Sequence, residues 1–266
     1  MDLELSGKVA IVTGGSRGIG KAVTRTLAAE GATVAIAART EEMLRATATE
    51  IAEETGQRIL PVVVDTGDDE SVRSMVEHVA SELGRVDILV NGAAVPGGGG
   101  PPPALEAITA EAFWADMNVK VLGYLRCAQA VAPHMRRQGW GRIINISGLA
   151  ARSAGSTIGS MRNVSVAALT KNLANELGPH GINVTVVHPG MTYTERMPAL
   201  FEARAQARGI SVEEAERQFA EGNSIKHLVT AEEVANVIAF LASPRSIAIN
   251  GDAIAAGGGA GNAIHY

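Results

Sequence analysis

Residues 9–20 read Val9-Ala10-Ile11-Val12-Thr13-Gly14-Gly15-Ser16-Arg17-Gly18-Ile19-Gly20. The first five form an apolar, β-branched run of the length of one buried strand, and the glycines then release the chain into a tight turn. From 21 to 30 the apolar residues return at helical spacing. A glycine-rich turn between a strand and a helix leaves the backbone N–H groups of the helix N-terminus facing outward, where they suit an anion such as a pyrophosphate. The spacing is Gly-x-x-x-Gly-x-Gly rather than Gly-x-Gly-x-x-Gly, and a plain turn would use the same glycines.

The alternation continues outward from this stretch. Strand-like runs at 33–38, 59–64, 86–90, 142–146, 182–187 and 253–256 are separated by helical patterns at 41–54, 69–83, 110–135, 164–177 and 232–242. Runs this apolar need cover on both faces, which predicts an α/β fold with a doubly wound parallel sheet of about seven strands and helices on both sides. Ligands then bind at the carboxyl ends of the strands. Gly31, Gly56, Gly84, Gly139 and Gly181 stand where helices end, and Thr230-Ala231-Glu232-Glu233 carries the spacing of a capping box. Two segments break the rhythm after strand ends: the Gly/Pro-rich stretch 95–103, and a charged insertion at about 191–226 within an otherwise single domain spanning 1–266. Both are placed to line a ligand crevice, and equally the first could be a featureless surface loop and the second a solvated helix pair.

The chain has 266 residues, 46% hydrophobic, enough for one large core. Its 23 basic and 28 acidic side chains leave a net charge of −5 without any basic block, which argues against a nucleic-acid partner. Cys127 is the only cysteine, so disulfides within the chain and multi-cysteine metal sites are excluded. The acidic start Met1–Leu5 is unlike an export signal, and no apolar run of membrane-spanning length occurs. The expectation is a cytoplasmic protein without a membrane partner or a metal. The triplets at Asn145, Asn163 and Asn183 that fit a glycosylation pattern are read as chance.

Several further groups of residues point the same way. Asp65 follows the third strand and Asn91-Gly92-Ala93-Ala94 the fourth; Asn118 lies within the long central helix; Pro189-Gly190 with Thr194 follows the sixth strand. With Leu169-Thr170-Lys171 and Phe240-Leu241-Ala242-Ser243, the chain resembles the short-chain dehydrogenase/reductase family over nearly its whole length. That resemblance implies a Rossmann-like fold, a dinucleotide cofactor and a homo-oligomer, dimeric or tetrameric. In the glycine loop it implies cofactor contacts from Gly14, Ser16, Arg17, Gly18, Ile19 and Gly20. Beyond the loop it implies Asp65, Thr66, Asn91 and Ala93, with Asn163, Pro189, Gly190, Thr192 and Thr194 nearer the nicotinamide. Ala38 stands where an acidic residue would accept from the ribose hydroxyls and repel a 2′-phosphate, and Arg39 follows it. Arg39 and Arg17 offer two guanidiniums to that phosphate, which favours NADP(H) over NAD(H).

The same resemblance implies a Tyr-x-x-x-Lys pair after the fifth strand, but Gly159 and Asn163 occupy those places. No shift of alignment helps, because the tyrosines are Tyr124, Tyr193 and Tyr266. Asn118 remains as the active-site asparagine, and Ser147 as the serine, unless Gly148 takes that position. Candidates for a replacement proton donor are His188, beside Pro189, and Tyr193, beside Thr194. Lys120 and Arg162 can polarise a carbonyl or bind an acidic substrate, or stand as solvated charges or a ribose contact. The expected function is an NADP(H)-binding oxidoreductase acting on a small carbonyl or alcohol through a departed active site. A non-catalytic NADP(H)-binding or regulatory module, or the inactive subunit of a hetero-oligomer, stands as the alternative.

Overall fold

A computed structural model describes residues 1–95, 102–262 and 264. β1 (Val9–Thr13) is buried at all 5 residues, as an apolar strand covered on both faces must be. It lies within a parallel sheet completed by β2 (Thr33–Ala38), β3 (Ile59–Val63), β4 (Ile88–Asn91), β5 (Gly141–Ile146), β6 (Ile182–Pro189) and β7 (Ala253–Ala256). The strand order is β3-β2-β1-β4-β5-β6-β7, with Ala10 level with Ile88 and Val9 level with Thr33. The order reverses between β1 and β4, and a crevice opens there at the strands' carboxyl ends.

Side chains alternate across this sheet and build two cores. On one face Ala10, Val12, Ile36 and Ile144 pack under α1 (Gly18–Ala29), α2 (Glu41–Thr55) and α9 (Ala231–Ala242). On the other, Val9, Ile11, Leu89 and Ile143 pack under α3 (Asp69–Leu83), α5 (Gly123–Gln138) and α6 (Thr157–Leu177). Cys127 is buried in this second core, where burial pushes its thiol up to about 12. The Thr230 capping box forms as expected at the start of α9.

Two elements differ from the sequence expectation, and a third takes one of the forms that it left open. The central helix is not continuous: α4 (Ala110–Met117) passes through one π-helical turn at Asn118–Leu122 before α5 begins. Arg126 supports that turn by donating to the Asn118 and Thr66 carbonyls, and Gly123 lets the helix close onto Thr66, whose carbonyl would lie 3.0 Å from any Cβ there. α6 starts at Thr157, earlier than the expected 164, because the Ser156 hydroxyl caps it by accepting from the Gly159 N–H. The charged segment 191–226 contains α7 (Met197–Arg208) and α8 (Val212–Ala220), amphipathic helices that share a small core of Met197, Phe201, Ala205, Ala215 and Leu228. Residues 96–101 of the Gly/Pro-rich stretch, and Tyr266, lie outside the described residues. Among the described residues, no helix is long and apolar enough to cross a membrane, and no cluster of metal ligands occurs.

A buried polar chain ties the sheet to α6 beneath the crevice. The Asn91 amide donates to Asn145 Oδ1 at 2.9 Å, the Asn145 amide to Thr170 Oγ1 at 2.9 Å, and the Thr170 hydroxyl to the Val166 carbonyl at 2.8 Å. Asn145→Ala removes the middle link and leaves buried polar groups without partners, at about 1–3 kcal/mol for each. Urea unfolding of this variant is expected to show a lower midpoint with an unchanged slope; a wild-type midpoint would show the chain to be energetically idle.

Candidate functional site

The crevice between the ends of β1 and β4 has a volume of about 590 Å³, within the range of ligand pockets. Two backbones meet at its base. Gly14 takes φ +71°, and a Cβ on it would lie 2.8 Å from the Gly92 carbonyl oxygen. Gly20 sits so close to the Gly14 carbonyl that any side chain would collide with it, which brings the start of α1 against the strand end. The loop therefore presents the α1 N-terminus to the crevice. The Gly18 N–H already donates to both carboxylate oxygens of Glu195, at 3.0 and 3.1 Å. A carboxylate at this helix N-terminus shows that the position suits an anion.

Many of the expected cofactor residues converge on this space. Gly14, Ser16, Arg17, Gly18, Ile19 and Gly20 line one end with Arg39, and Asp65, Thr66, Ala93 and Thr194 line the rest. Arg17 and Arg39 are exposed and have no carboxylate partner among the described residues, unlike Arg25, which is paired with Glu50 and Glu54. Ala38 lies in the lining between them, so no acid opposes a phosphate there. Asp65 is partly committed to its own turn, accepting from the Gly67 N–H at 2.8 Å. Asn91, Asn163, Pro189, Gly190 and Thr192 are not in the lining; Asn91 and Asn163 are buried beneath it, and the Thr192 hydroxyl donates to the Gly190 carbonyl. Arg196, Glu195 and Thr40 line the crevice without having been singled out in the sequence. Of these, Thr40 and Glu195 had neighbours, Arg39 and Thr194, that marked the place.

The expected catalytic residues separate. Asn118 turns away from the crevice: its amide donates to the Gly67 carbonyl at 3.1 Å, and its Oδ1 accepts from Arg126 at 2.9 Å. The π turn instead presents Val119 and Lys120 to the crevice. Ser147 is buried and donates its hydroxyl to the Asn163 carbonyl at 3.1 Å. Lys120 is 5% exposed, and its Nζ donates to the Ser147 carbonyl at 3.0 Å. Burial, then the charge of Arg162, lowers the Lys120 ammonium to about 7, partly opposed by Asp116. Arg162 and Asp116 are paired through two contacts of 2.8 Å.

His188 is 1% exposed and its Nδ1 finds no partner in the protein. Burial, then Arg152 and Lys120, lowers its imidazole to about 4, so it is neutral at pH 7. Tyr193 packs its ring at 6.3 Å from that of Phe201, outside the crevice lining. Tyr124 donates to the Ile146 carbonyl at 2.9 Å, and burial pushes its phenol well above the ordinary value. Gly159 has no room to spare, since a Cβ there would lie 2.9 Å from the Ser156 hydroxyl that caps α6.

Comparison with known proteins agrees with this geometry. Residues 8–205 match the short chain dehydrogenase family. The chain is 36% identical to the short-chain reductase protein NovJ of Streptomyces niveus over 252 residues, covering 94% of this chain and 93% of the relative. It is 30% identical to the NADPH-dependent reductase BacG of Bacillus subtilis over 263 residues, covering 98% and 100%. Among solved structures, L-sorbose reductase from Gluconobacter frateurii complexed with NADPH and L-sorbose superposes with a TM-score of 0.92 at 31% identity, covering 99% of this chain and 100% of that one. With the seven-stranded parallel sheet and the glycine loop at its switch point, these matches establish that the chain belongs to the short chain dehydrogenase family.

Proposed function

We propose that this protein is an NADP(H)-dependent oxidoreductase that interconverts a small carbonyl compound and its alcohol, through a site without the Tyr-x-x-x-Lys pair. The observation that carries the reading is the crevice at the β1–β4 switch point, where Arg17 and Arg39 flank Ala38 with no carboxylate between them. The glycine loop would hold the pyrophosphate, the two arginines the 2′-phosphate, Asp65 and Thr66 the adenine side, and Ala93 and Thr194 the nicotinamide side. A bound nicotinamide supplies or accepts a hydride. The NADPH-dependent reductase of Bacillus subtilis and the NADPH complex of L-sorbose reductase support this cofactor.

The chain's own contribution is to hold the carbonyl near the strand ends and to exclude water. Positioning of this kind is worth roughly 7–11 kcal/mol. Gly159 and Asn163, at the places of the missing pair, favour one second reading, an NADP(H)-binding module without turnover. The proposal includes a homo-oligomer, supported by Trp114, Met161 and Val164, which stand exposed on α4 and α6.

Calorimetric titration is expected to show NADPH binding more tightly than NADH, with Arg39→Ala reducing the NADPH affinity by about 1.5–3 kcal/mol and the NADH affinity little. Equal affinities for the two cofactors would remove the 2′-phosphate site. NADPH binding without turnover across a panel of ketones, aldehydes and alcohols would decide for the binding module. Glu195→Gln removes the carboxylate that competes at the Gly18 N–H, and both cofactors are expected to bind more tightly by about 0.3–1 kcal/mol. Weaker binding in that variant would mean that Glu195 assists the cofactor instead. Light scattering at micromolar concentration is expected to give a dimer or tetramer, and a monomer would refute the assembly.

A further inference from the structure

We propose that Lys120 is the catalytic acid of the site, donating a proton from Nζ to the substrate oxygen during carbonyl reduction and taking it back during alcohol oxidation; this rests on the oxidoreductase reading above. The assignment starts from place. Lys120 is the only ionisable side chain of the π turn Asn118–Leu122, and the turn puts it into the lining of the crevice beyond the ends of β4 and β5, on the opposite side from the arginines. Its ammonium has a single protein acceptor among the described residues, the Ser147 carbonyl at 3.0 Å. An ammonium has three donors, so two are left without a protein acceptor among the described residues.

The surroundings equip the amine to release a proton. The charged and titratable groups around it come from neighbouring elements: Asp116 from α4, Arg162 from α6 and His188 from β6, the last of which also feels Arg152, after β5. Asp116 is bound on both oxygens by Arg162, so it does not lock Lys120 in an ion pair. His188 is neutral at pH 7 and adds no charge. The ammonium is therefore buried without a counter-ion of its own, and burial brings its proton affinity near neutrality, where a general acid is most effective. The other candidates lack this combination. His188 is the neutral imidazole at pH 7, whose remaining N–H is a very weak acid, Tyr124 is spent on the Ile146 carbonyl, and Tyr193 faces Phe201.

As the hydride adds to the carbonyl carbon, the π pair of the C=O bond moves onto oxygen. The Nζ–H bond breaks with its pair remaining on nitrogen, and an O–H bond forms. The neutral amine then regains a proton from solvent. Reduction accordingly needs the ammonium and is expected to slow as pH rises through about 7. Oxidation needs the free amine and is expected to slow as pH falls through the same value.

The test uses the full chain labelled with ¹³C at the lysine ε-carbons, which gives signals from Lys8, Lys21, Lys120, Lys171 and Lys226. One resonance is expected to titrate near pH 7 and to vanish in Lys120→Met; a Lys120 resonance titrating in the ordinary lysine range would overturn the proposal. Lys120→Met is expected to lower kcat for NADPH-dependent ketone reduction by about 10²–10⁴ and to lose the pH limb near neutrality, with NADPH affinity unchanged. Lys120→Arg keeps a buried cation that does not release its proton, so it controls for folding and is expected to be as impaired as Lys120→Met. A wild-type rate in either variant would overturn the role of Lys120 alone. A wild type that fails to bind NADPH would overturn the oxidoreductase reading itself, and the lysine titration would still report on the amine.

Discussion

Two backbones in contact at the ends of β1 and β4 set the geometry of the rest. Gly14 can press against the Gly92 carbonyl only because neither residue carries a side chain, and Gly14 alone can adopt its left-handed conformation there without strain. The sheet reverses its winding at this point. From it, α1 departs with its N-terminus facing the crevice, and the chain after β4 departs the other way. A side chain at either position would separate the strand ends and draw the α1 N-terminus away from the anion it faces. The polar chain Asn91–Asn145–Thr170 lies immediately below and fixes β4, β5 and α6 to one another, so the floor of the crevice is held from both sides of the switch point.

Burial of charge distinguishes the crevice from the scaffold. Arg142 is also buried, and burial lowers it to about 10. Its guanidinium is nonetheless stabilised by the Gly141 and Ser243 carbonyls and by the Trp140 ring at 4.7 Å, so it stays charged. Lys120 has one carbonyl and a neighbouring guanidinium. The two cations differ in starting point and in surroundings: the guanidinium begins higher and is lowered by burial alone, whereas the ammonium is lowered by burial and by the charge of Arg162. Asp87, at the opposite end of the sheet, completes the contrast. It is fully buried but accepts from Arg85 and from the Val9 N–H, an arrangement that suits structure rather than proton transfer.

The fold was legible because its signal is periodic. Apolar strands punctuated by glycine and helices with three- and four-residue spacing carry their own registration, and the boundaries moved by only a few residues at most elements. The start of α6 was hidden because Ser156-Thr157-Ile158-Gly159-Ser160 has the composition of a loop, and only the cap formed by Ser156 turns it into a helix. The glycine loop was legible for the same local reason: Gly14, Gly18, Gly20 and Arg17 stand together in the sequence and together line the crevice. The β5 side of the crevice was not. Asn118 and Lys120 are two residues apart, and an ordinary helix does not say which of them faces the strands; a π turn supported by Arg126 decides it. Whether a lysine is a solvated charge or a buried amine depends on contacts from α4, α6, β5 and β6, elements separated by many residues.

The proposed oxidoreductase reading also bears on how such a site would work without a phenol and its paired lysine. General acid catalysis is worth about 10²–10⁴ in rate, whereas holding donor and acceptor in register is worth roughly 7–11 kcal/mol. The larger contribution belongs to the crevice, which the backbone builds from the glycine loop and the strand ends. The smaller one requires only a group that holds a proton at neutral pH and reaches the oxygen. With Lys120 as the acid proposed above, that group would come from a different helix than Gly159 and Asn163, while the sheet, the glycine loop and the α1 N-terminus stay as they are. The π turn is the structural change that makes the relocation fit, since it turns Lys120 toward the strand ends and leaves Asn118 to the scaffold.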